Sequence, residues 1–168
     1  MLTDKLHSAC FTGHRSQKLP WGFNEEDVRC KAMKSALRAE IEKAIQKGYT
    51  TFLCGMALGF DTICAETVLE LKKRYKKIKL IGALPCKTQD IKWSEKDRKR
   101  YKKLLKKSDG IRCIYDEYIG EECMIERNRY MVDNSSLMIA LYNGISGGTK
   151  STVEYAKSMG LEIVFIRP

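Results

Sequence analysis

Residues 136–156 read SLMIALYNGISGGTKSTVEYA. A short apolar run leads into a loop of glycine, serine and threonine, and a pattern with helical spacing follows at once. This order predicts a strand, a glycine turn and the start of a helix. The first N–H groups of a helix lack backbone partners and lie at the positive end of its dipole, so they attract anions.

The loop carries groups that suit an anion. Gly147 and Gly148 allow a ligand to approach the backbone closely, and Thr149 and Ser151 add hydroxyl donors. We interpret the loop as the phosphate seat of a nucleotide-like ligand. The alternative is a plain strand-to-helix turn in which the glycines only cap the helix, since the loop has neither the Walker spacing nor GxGxxG.

Other apolar runs of strand length alternate with helical patterns along the chain. We predict strands at 8–12, 50–54, 78–84, 110–115, 137–142 and 161–166. We predict helices after the N-cap Asn24 up to Gly48, at 62–75, at 93–107 after the N-cap Ser94, at 121–134, and from the glycine loop to Met159.

Strands without polar alternation are covered on both faces. The pattern therefore predicts an α/β fold, a three-layer α/β/α sandwich around a Rossmann-like, mostly parallel six-stranded sheet. We expect the strand order 3-2-1-4-5-6, with a ligand crevice at the switch point beside strand 1.

Length and composition set further limits. The 168 residues, 43% of them apolar, suit a single domain spanning residues 1–168. The apolar runs are far shorter than the ~20 residues of a membrane helix, and the N-terminus lacks an apolar signal segment. Seven scattered cysteines without CxxC spacing favour a reducing compartment and argue against structural zinc. We expect a cytoplasmic protein without a metal, a required cofactor or a membrane partner.

The net charge of +10 is concentrated in two segments, residues 92–107 and 72–77. Such lysine clusters bind nucleic acid non-specifically in some proteins. We favour the alternative, solvated helix faces, because no interleaved aromatic residues accompany the charge.

Parallel strands share one carboxyl edge, so three glycine-bearing loops are expected to meet there. They are Thr12-Gly13-His14-Arg15, the segment from Gly55 through Gly59 to Asp61, and Gly147-Gly148-Thr149. Together they predict a site for a ligand with phosphate or ribose groups. Arg15 can bind phosphate with its planar guanidinium, and His14 can donate a hydrogen bond to it.

For three other polar residues the sequence leaves two roles open. Asp61 is either an acceptor for ribose hydroxyls or the N-cap of its helix. Arg127, next to Asn128, lies either in the crevice, which we favour, or in a surface ion pair. Glu154 either faces the crevice, where it could hold ribose or act as an acid or base, or is a solvent-exposed helix residue.

These motifs resemble the YpsA-like branch of the SLOG superfamily, which is named for the DNA-processing protein DprA and the lonely guy enzymes. The resemblance is carried by Phe11-Thr12-Gly13-His14-Arg15, the loop from Gly55 to Asp61, Arg127-Asn128 and Gly147-Gly148-Thr149. It covers nearly the whole chain. It implies a Rossmann-like fold and a pocket for nucleotides or derivatives such as ADP-ribose or NAD-related ligands.

The lonely guy enzymes cleave the base–ribose bond of nucleoside monophosphates with an Arg-Lys pair and a Pro-Gly-Gly-x-Gly-Thr-x-x-Glu motif. The motif places its first glycines at Gly147 and Gly148 and its glutamate at Glu154, and Arg127 takes the place of the arginine of the pair. The resemblance implies that Glu154 and Arg127 are catalytic if the chain is an enzyme. The departures are Ser146 for the proline, Lys150 for the third glycine, Ser151 for the threonine and Asn128 for the lysine. Lys150 could bind phosphate or block the substrate pose of the lonely guy enzymes. The resemblance therefore supports their class of ligand more strongly than their reaction.

Three hypotheses follow. The first, which we favour, is a binding module that senses a nucleotide-derived ligand. The second is a nucleoside monophosphate phosphoribohydrolase, and the third is a DprA-like single-stranded nucleic-acid binder. The resemblance is also compatible with a homodimer, for which Trp21, Phe23 and Tyr118 would be apolar contacts.

Overall fold

The computed structural model describes residues 4–168, in which six strands alternate with five α-helices. The strands are β1 (Ser8–Gly13), β2 (Thr51–Cys54), β3 (Lys79–Cys86), β4 (Gly110–Tyr115), β5 (Leu137–Leu141) and β6 (Glu162–Ile166). The helices are α1 (Val28–Gln46), α2 (Phe60–Lys72), α3 (Glu95–Lys107), α4 (Glu122–Asp133) and α5 (Gly148–Ser158), with short 3-10 helices at Lys5–His7 and Ser16–Lys18. Every predicted strand and helix is present.

The strands form one parallel sheet in the order β4-β3-β2-β1-β5-β6. The predicted Rossmann-like α/β fold is confirmed, but the strand order differs from 3-2-1-4-5-6 because β4 pairs with β3 at the edge. Burial explains the difference. Seven of the eight residues of β3 are buried, as an interior strand requires, whereas Ile111 and Arg112 of β4 are exposed, as an edge strand allows.

Alternate residues of the central strands pack into two apolar clusters, one on each face of the sheet. On one face Phe11 and Phe52 contact helices α1, α2 and α3. On the other face Cys10 and Met138 contact helices α4 and α5. The chain therefore winds outward from β1 to β4 on one face and returns to β5 across the other. The turning point, between β1 and β5, is where such sheets open a crevice.

The first helix begins later than predicted. Asp27 is its N-cap and accepts a 2.8 Å hydrogen bond from the backbone N–H of Arg29, whereas Asn24 accepts one from Glu26 in the preceding turn. Val28, the first residue of the helix, is exposed. The predicted cap of α3 is confirmed, since the hydroxyl of Ser94 accepts from the N–H of Asp97.

Trp21 is only 5% exposed and packs in the core, so it is not available as the predicted dimer contact, while Phe23 and Tyr118 are exposed. The seven cysteines are all free. Within residues 4–168 there is no helix with the length and apolar character needed to span a membrane.

Candidate functional site

A hollow of about 530 Å³ opens at the carboxyl ends of β1 and β5. The two strands pair with Gly13 opposite Leu141, so the loops that follow them start side by side. The loop after β1, the start of α5 and one side of α4 form the walls. The predicted residues that line the hollow are Thr12, Gly13, His14, Arg15, Asp61, Arg127, Asn128, Gly147, Gly148 and Thr149.

His14 fixes the loop after β1. Its imidazole is buried, and Nε2 lies 3.0 Å from Oδ1 of Asn143 in the loop after β5. Because an amide oxygen only accepts hydrogen bonds, Nε2 is the donor. The sequence predicted that His14 donates a hydrogen bond to a phosphate, whereas in the structure its Nε2 donates to Asn143 and joins the two loops. Arg15, the next residue, is exposed at the hollow.

Close packing explains why positions 13 and 59 are occupied by glycine. A Cβ on Gly13 would lie 2.3 Å from the ring of Phe60, and one on Gly59 would lie 2.7 Å from the backbone nitrogen of Ser16. Gly59 also has a φ of +88°, which favours glycine. The loop after β2 therefore supports the loop after β1 from behind, and Gly59 does not line the hollow.

Helix α5 begins at the wall of the hollow. Its N-cap is Gly147, so no side chain caps the helix. A Cβ on Gly148 would meet no atom within 4 Å, and a Cβ on Gly147 would lie 3.0 Å from Nζ of Lys18. Since Gly148 and Thr149 line the hollow, the N–H groups of the first turn, which have no partner within the helix, lie at its wall next to the ammonium group of Lys18.

Arg127 is buried where α4 meets the ends of β2 and β3. Its Nη1 donates to the carbonyl oxygens of Gly55 at 2.6 Å and Ala83 at 3.3 Å, and its Nε donates to Oδ1 of Asn128 at 2.9 Å. Of the two positions considered for Arg127, a surface ion pair and the crevice, the structure has the crevice, which was the favoured one. These bonds hold the guanidinium rigidly, so Arg127 is first of all a part of the wall.

Asp61 is buried close to Arg127. A Cβ on Gly55 would lie 2.6 Å from Nη1 of Arg127 and 2.8 Å from Oδ2 of Asp61, so both charged groups approach the same Cα. Burial raises the pKa of Asp61 and lowers the pKa of Arg127, and the charge of each partner opposes that shift in the other. Oδ2 of Asp61 accepts from the N–H of Ala57 at 3.2 Å, and the N-cap of α2 is Gly59 rather than Asp61.

Four further predicted residues do not line the hollow. Gly55 lies behind Arg127, and Ser151 donates to the carbonyl oxygen of Gly147 at 3.3 Å. Glu154 is solvent-facing, with 63% of its side chain exposed, and its nearest cation is Lys150 at 3.8 Å. Of the two orientations considered for Glu154, the structure has the exposed one.

The model of the YspA SLOG family matches residues 9–163. The chain belongs to this family. The SPbeta prophage-derived protein YoqJ of Bacillus subtilis, itself uncharacterised, is 37% identical over 137 residues, which cover 74% of this chain and 80% of YoqJ. A UPF0398 protein of Brevibacillus brevis is 29% identical over 128 residues, covering 76% of this chain and 68% of that protein.

Two solved structures share the fold of this SLOG chain. DNA processing protein A (DprA) from Streptococcus pneumoniae has a TM-score of 0.66 at 15% identity, and the match covers 95% of this chain and 50% of that one. DprA from Helicobacter pylori, described in its single-stranded DNA binding mode, has a TM-score of 0.65 at 17% identity, covering 97% and 65%. This chain therefore spans half to two thirds of those DprA chains.

Sequence reasoning missed several residues that line the hollow of this family member. They are Phe11, Gln17, Lys18, Ala57, Glu121, Met124 and Met131. Lys18 has the clearest signal, because it stands three residues after Arg15 and follows it around a 3-10 turn, whose side chains repeat every third residue. Met124 and Met131 lie on α4, whose rotation only the folded chain reveals.

A second groove of about 600 Å³ continues from the hollow along α4 and α5. The two share Arg15, Glu121, Met124, Asn128 and Gly148 as wall residues, and Tyr118 and Tyr155 line only the groove. The edge of the sheet thus offers two adjoining compartments, with a junction between them that carries the charged side chains of Arg15 and Glu121.

The described residues 4–168 contain no group of three or more histidine, cysteine, aspartate or glutamate side chains placed to hold a metal ion. Burial raises the pKa of Cys10 to about 12 and raises the pKa values of Cys54 and Cys64 well above their usual range. These thiols are therefore protonated at neutral pH and pack as small apolar groups.

Proposed function

We propose that the hollow binds a nucleotide-derived ligand of the ADP-ribose or NAD class and that the chain is a binding module that senses this ligand. The observation that carries the proposal is the convergence of Arg15, Lys18 and the first turn of α5 on one hollow. Exposed cations and free backbone N–H groups around a concave site suit a phosphate.

The proposed pose follows from the placement of these groups. Phosphate oxygens accept from the N–H groups at Gly148 and Thr149 and from the guanidinium of Arg15. The carboxylates of Asp61 and Glu121, which also line the hollow, are acceptors for ribose hydroxyls. Because Arg15 and Gly148 also border the second groove, a pyrophosphate at this junction leaves a compartment for each half of the ligand.

The exposed position of Glu154 supports binding rather than cleavage of the ligand. A phosphoribohydrolase of the lonely guy type would need this carboxylate at the ribose, and Glu154 is not among the residues lining the hollow. The second compartment likewise favours a two-part ligand over a nucleoside monophosphate.

Isothermal titration calorimetry with ADP-ribose, NAD, AMP and cyclic AMP tests the proposal. We expect ADP-ribose or NAD to bind, and AMP to bind more weakly. Arg15→Gln should weaken binding by about tenfold or more, since a hydrogen bond to a charged group contributes about 1.5–3 kcal/mol. Arg15 is exposed, so this change should leave the unfolding transition in place.

Arg74→Gln is the matched control, because it removes an exposed arginine that stacks on Tyr75 at the far end of α2. Its affinity should equal that of the wild type. Absence of heat with all four compounds would contradict the proposal. Equal affinity of the Arg15→Gln and Arg74→Gln variants would refute the proposed pose.

A further inference from the structure

The two lysine-rich segments come together in a groove between α2 and α3, which we call the lysine groove. It has a volume of about 760 Å³. Its cationic lining residues are Lys72, Lys73, Lys76, Lys99, Arg100, Lys103 and Lys107. Leu69 and Leu104 lie among them and form an apolar floor.

The acidic groups near the lysine groove are already paired. Glu66 accepts from Arg100 at 2.6 and 2.7 Å, and Glu70 lies 3.1 Å from Nη1 of Arg38. Lys72 pairs with Asp109.

On the other side of the groove, Lys99 pairs with Glu95 at 3.0 Å. Four lysines remain, Lys73, Lys76, Lys103 and Lys107, for which the described part of the chain supplies no acidic partner within 4 Å. The groove thus has an excess of four positive charges that the protein itself does not neutralise.

The lysine groove is separate from the hollow. Helix α2 starts at the loop that supports residues 14–16 and runs away from it, so Lys72 and Lys73 lie at its far end. The 13 residues of α3 span about 20 Å, which makes the groove elongated. A concave, elongated, cationic surface suits a linear polyanion better than a flat membrane, for which exposed apolar side chains on a protruding face are typical.

We propose that the lysine groove binds nucleic acid through its phosphodiester backbone. A length of about 20 Å corresponds to roughly six nucleotides of one strand. The groove has no aromatic residue among its lining side chains, so bases have no stacking platform there. Binding is therefore independent of sequence and tolerates both single strands and duplexes.

Fluorescence anisotropy with labelled 20-nucleotide single strands and 20-base-pair duplexes, measured from 50 to 200 mM salt, tests this proposal. Four phosphate contacts predict a slope of log K against log salt of about −2.8 for the single strand, which is about a 50-fold loss of affinity across this range. The Lys76→Gln/Lys103→Gln variant should retain about half of that slope and lose only about sevenfold.

Lys5→Gln/Lys157→Gln is the control, since it removes the same charge from exposed positions outside the lysine groove. It should keep the wild-type slope, and circular dichroism should show all variants folded. ADP-ribose titrations on the groove variant separate this surface from the hollow. Equal slopes for the two double variants, absence of binding to both nucleic acids, or binding only to vesicles of anionic lipid would each overturn the proposal.

Discussion

Arg127 and Asp61 are buried charges placed next to one another, and each depends on the other. Burying an isolated charge is costly, and the guanidinium offsets part of that cost for the carboxylate. Gly55 makes the arrangement possible, because a Cβ at this position would overlap both groups. The glycine was predicted to serve the ligand, whereas in the structure it gives space to the wall of the hollow.

Removal of this guanidinium should destabilise the protein strongly. We expect Arg127→Met to lower the free energy of unfolding by about 3–5 kcal/mol at pH 8, because the buried carboxylate of Asp61 then loses the main positive charge that offsets its burial. Burial already raises the pKa of Asp61, so the folded state holds its proton at higher pH than the unfolded state, and stability falls as pH rises through that window. The decrease in unfolding free energy caused by Arg127→Met should therefore be smaller at pH 5 than at pH 8, as measured by urea unfolding.

The double variant Arg127→Met/Asp61→Asn is the control for this prediction. It should be more stable than Arg127→Met alone at pH 8, and its stability loss should not vary between pH 5 and 8. If the single variant loses the same stability at both values, Asp61 is not the group responsible.

At the scale of elements, α3 is attached to the molecule in an unusual way. Its buried side chains are only Tyr101 and Leu104. Polar contacts also attach the helix. Arg100 donates to Glu66 on α2 and, at 2.5 and 3.1 Å, to Glu25 before α1. Arg100 thus attaches helix α3 to α2 and to Glu25 while it also lines the lysine groove, where Lys103 and Lys107 of the same helix have no acidic partner among the described residues.

The ion pair of Glu25 should be visible in the acid stability of the protein. Hydrogen bonding to Arg100 lowers the pKa of Glu25 to about 2, against the opposing effect of partial burial. A lowered pKa stabilises the folded state above the unfolded value of 4.5, and this contribution disappears as pH falls toward 2. We expect Glu25→Gln to flatten the decline of unfolding free energy across this window, measured with urea at half-unit steps.

A double-mutant cycle identifies the partner. Arg100→Gln should flatten the same decline, and adding Glu25→Gln to it should change the slope little, because the interaction is already lost. Additive changes in slope would mean that Glu25 acts through Lys34, its other cationic neighbour at 2.8 Å, rather than through Arg100.

At the scale of the whole molecule, the sheet connects both faces. Adjacent residues of its central strands, such as Cys10 and Phe11 or Phe52 and Leu53, belong to opposite apolar clusters. If the helices on one face unfolded, they would expose the strands against which the helices on the other face also pack. We therefore propose that residues 1–168 form one cooperative domain.

Coincident unfolding curves check this proposal. Trp21 and Trp93 both pack with the cluster on the α1–α3 face, so their fluorescence reports that face, while far-ultraviolet circular dichroism reports all helices. The two signals should give one urea midpoint and one slope. A fluorescence transition that precedes the loss of circular dichroism would indicate that the face carrying α3 unfolds independently.

The sequence by itself determined the elements and the class of fold. Wholly apolar runs such as Leu137–Leu141 predict buried parallel strands, and the glycine loop before α5 predicts a strand-to-helix turn, because both patterns depend on neighbouring residues. These local signals also placed three loops at one edge of the sheet.

Only the tertiary structure decided the order of the strands, the rotation of the helices and the purpose of each glycine. The edge position of β4, the exposure of Glu154 and the clash that a Cβ on Gly13 would cause with Phe60 all depend on contacts between segments distant in sequence. Periodicity along the chain shows that a helix has a buried face, but which neighbour that face meets is set by packing of the whole molecule.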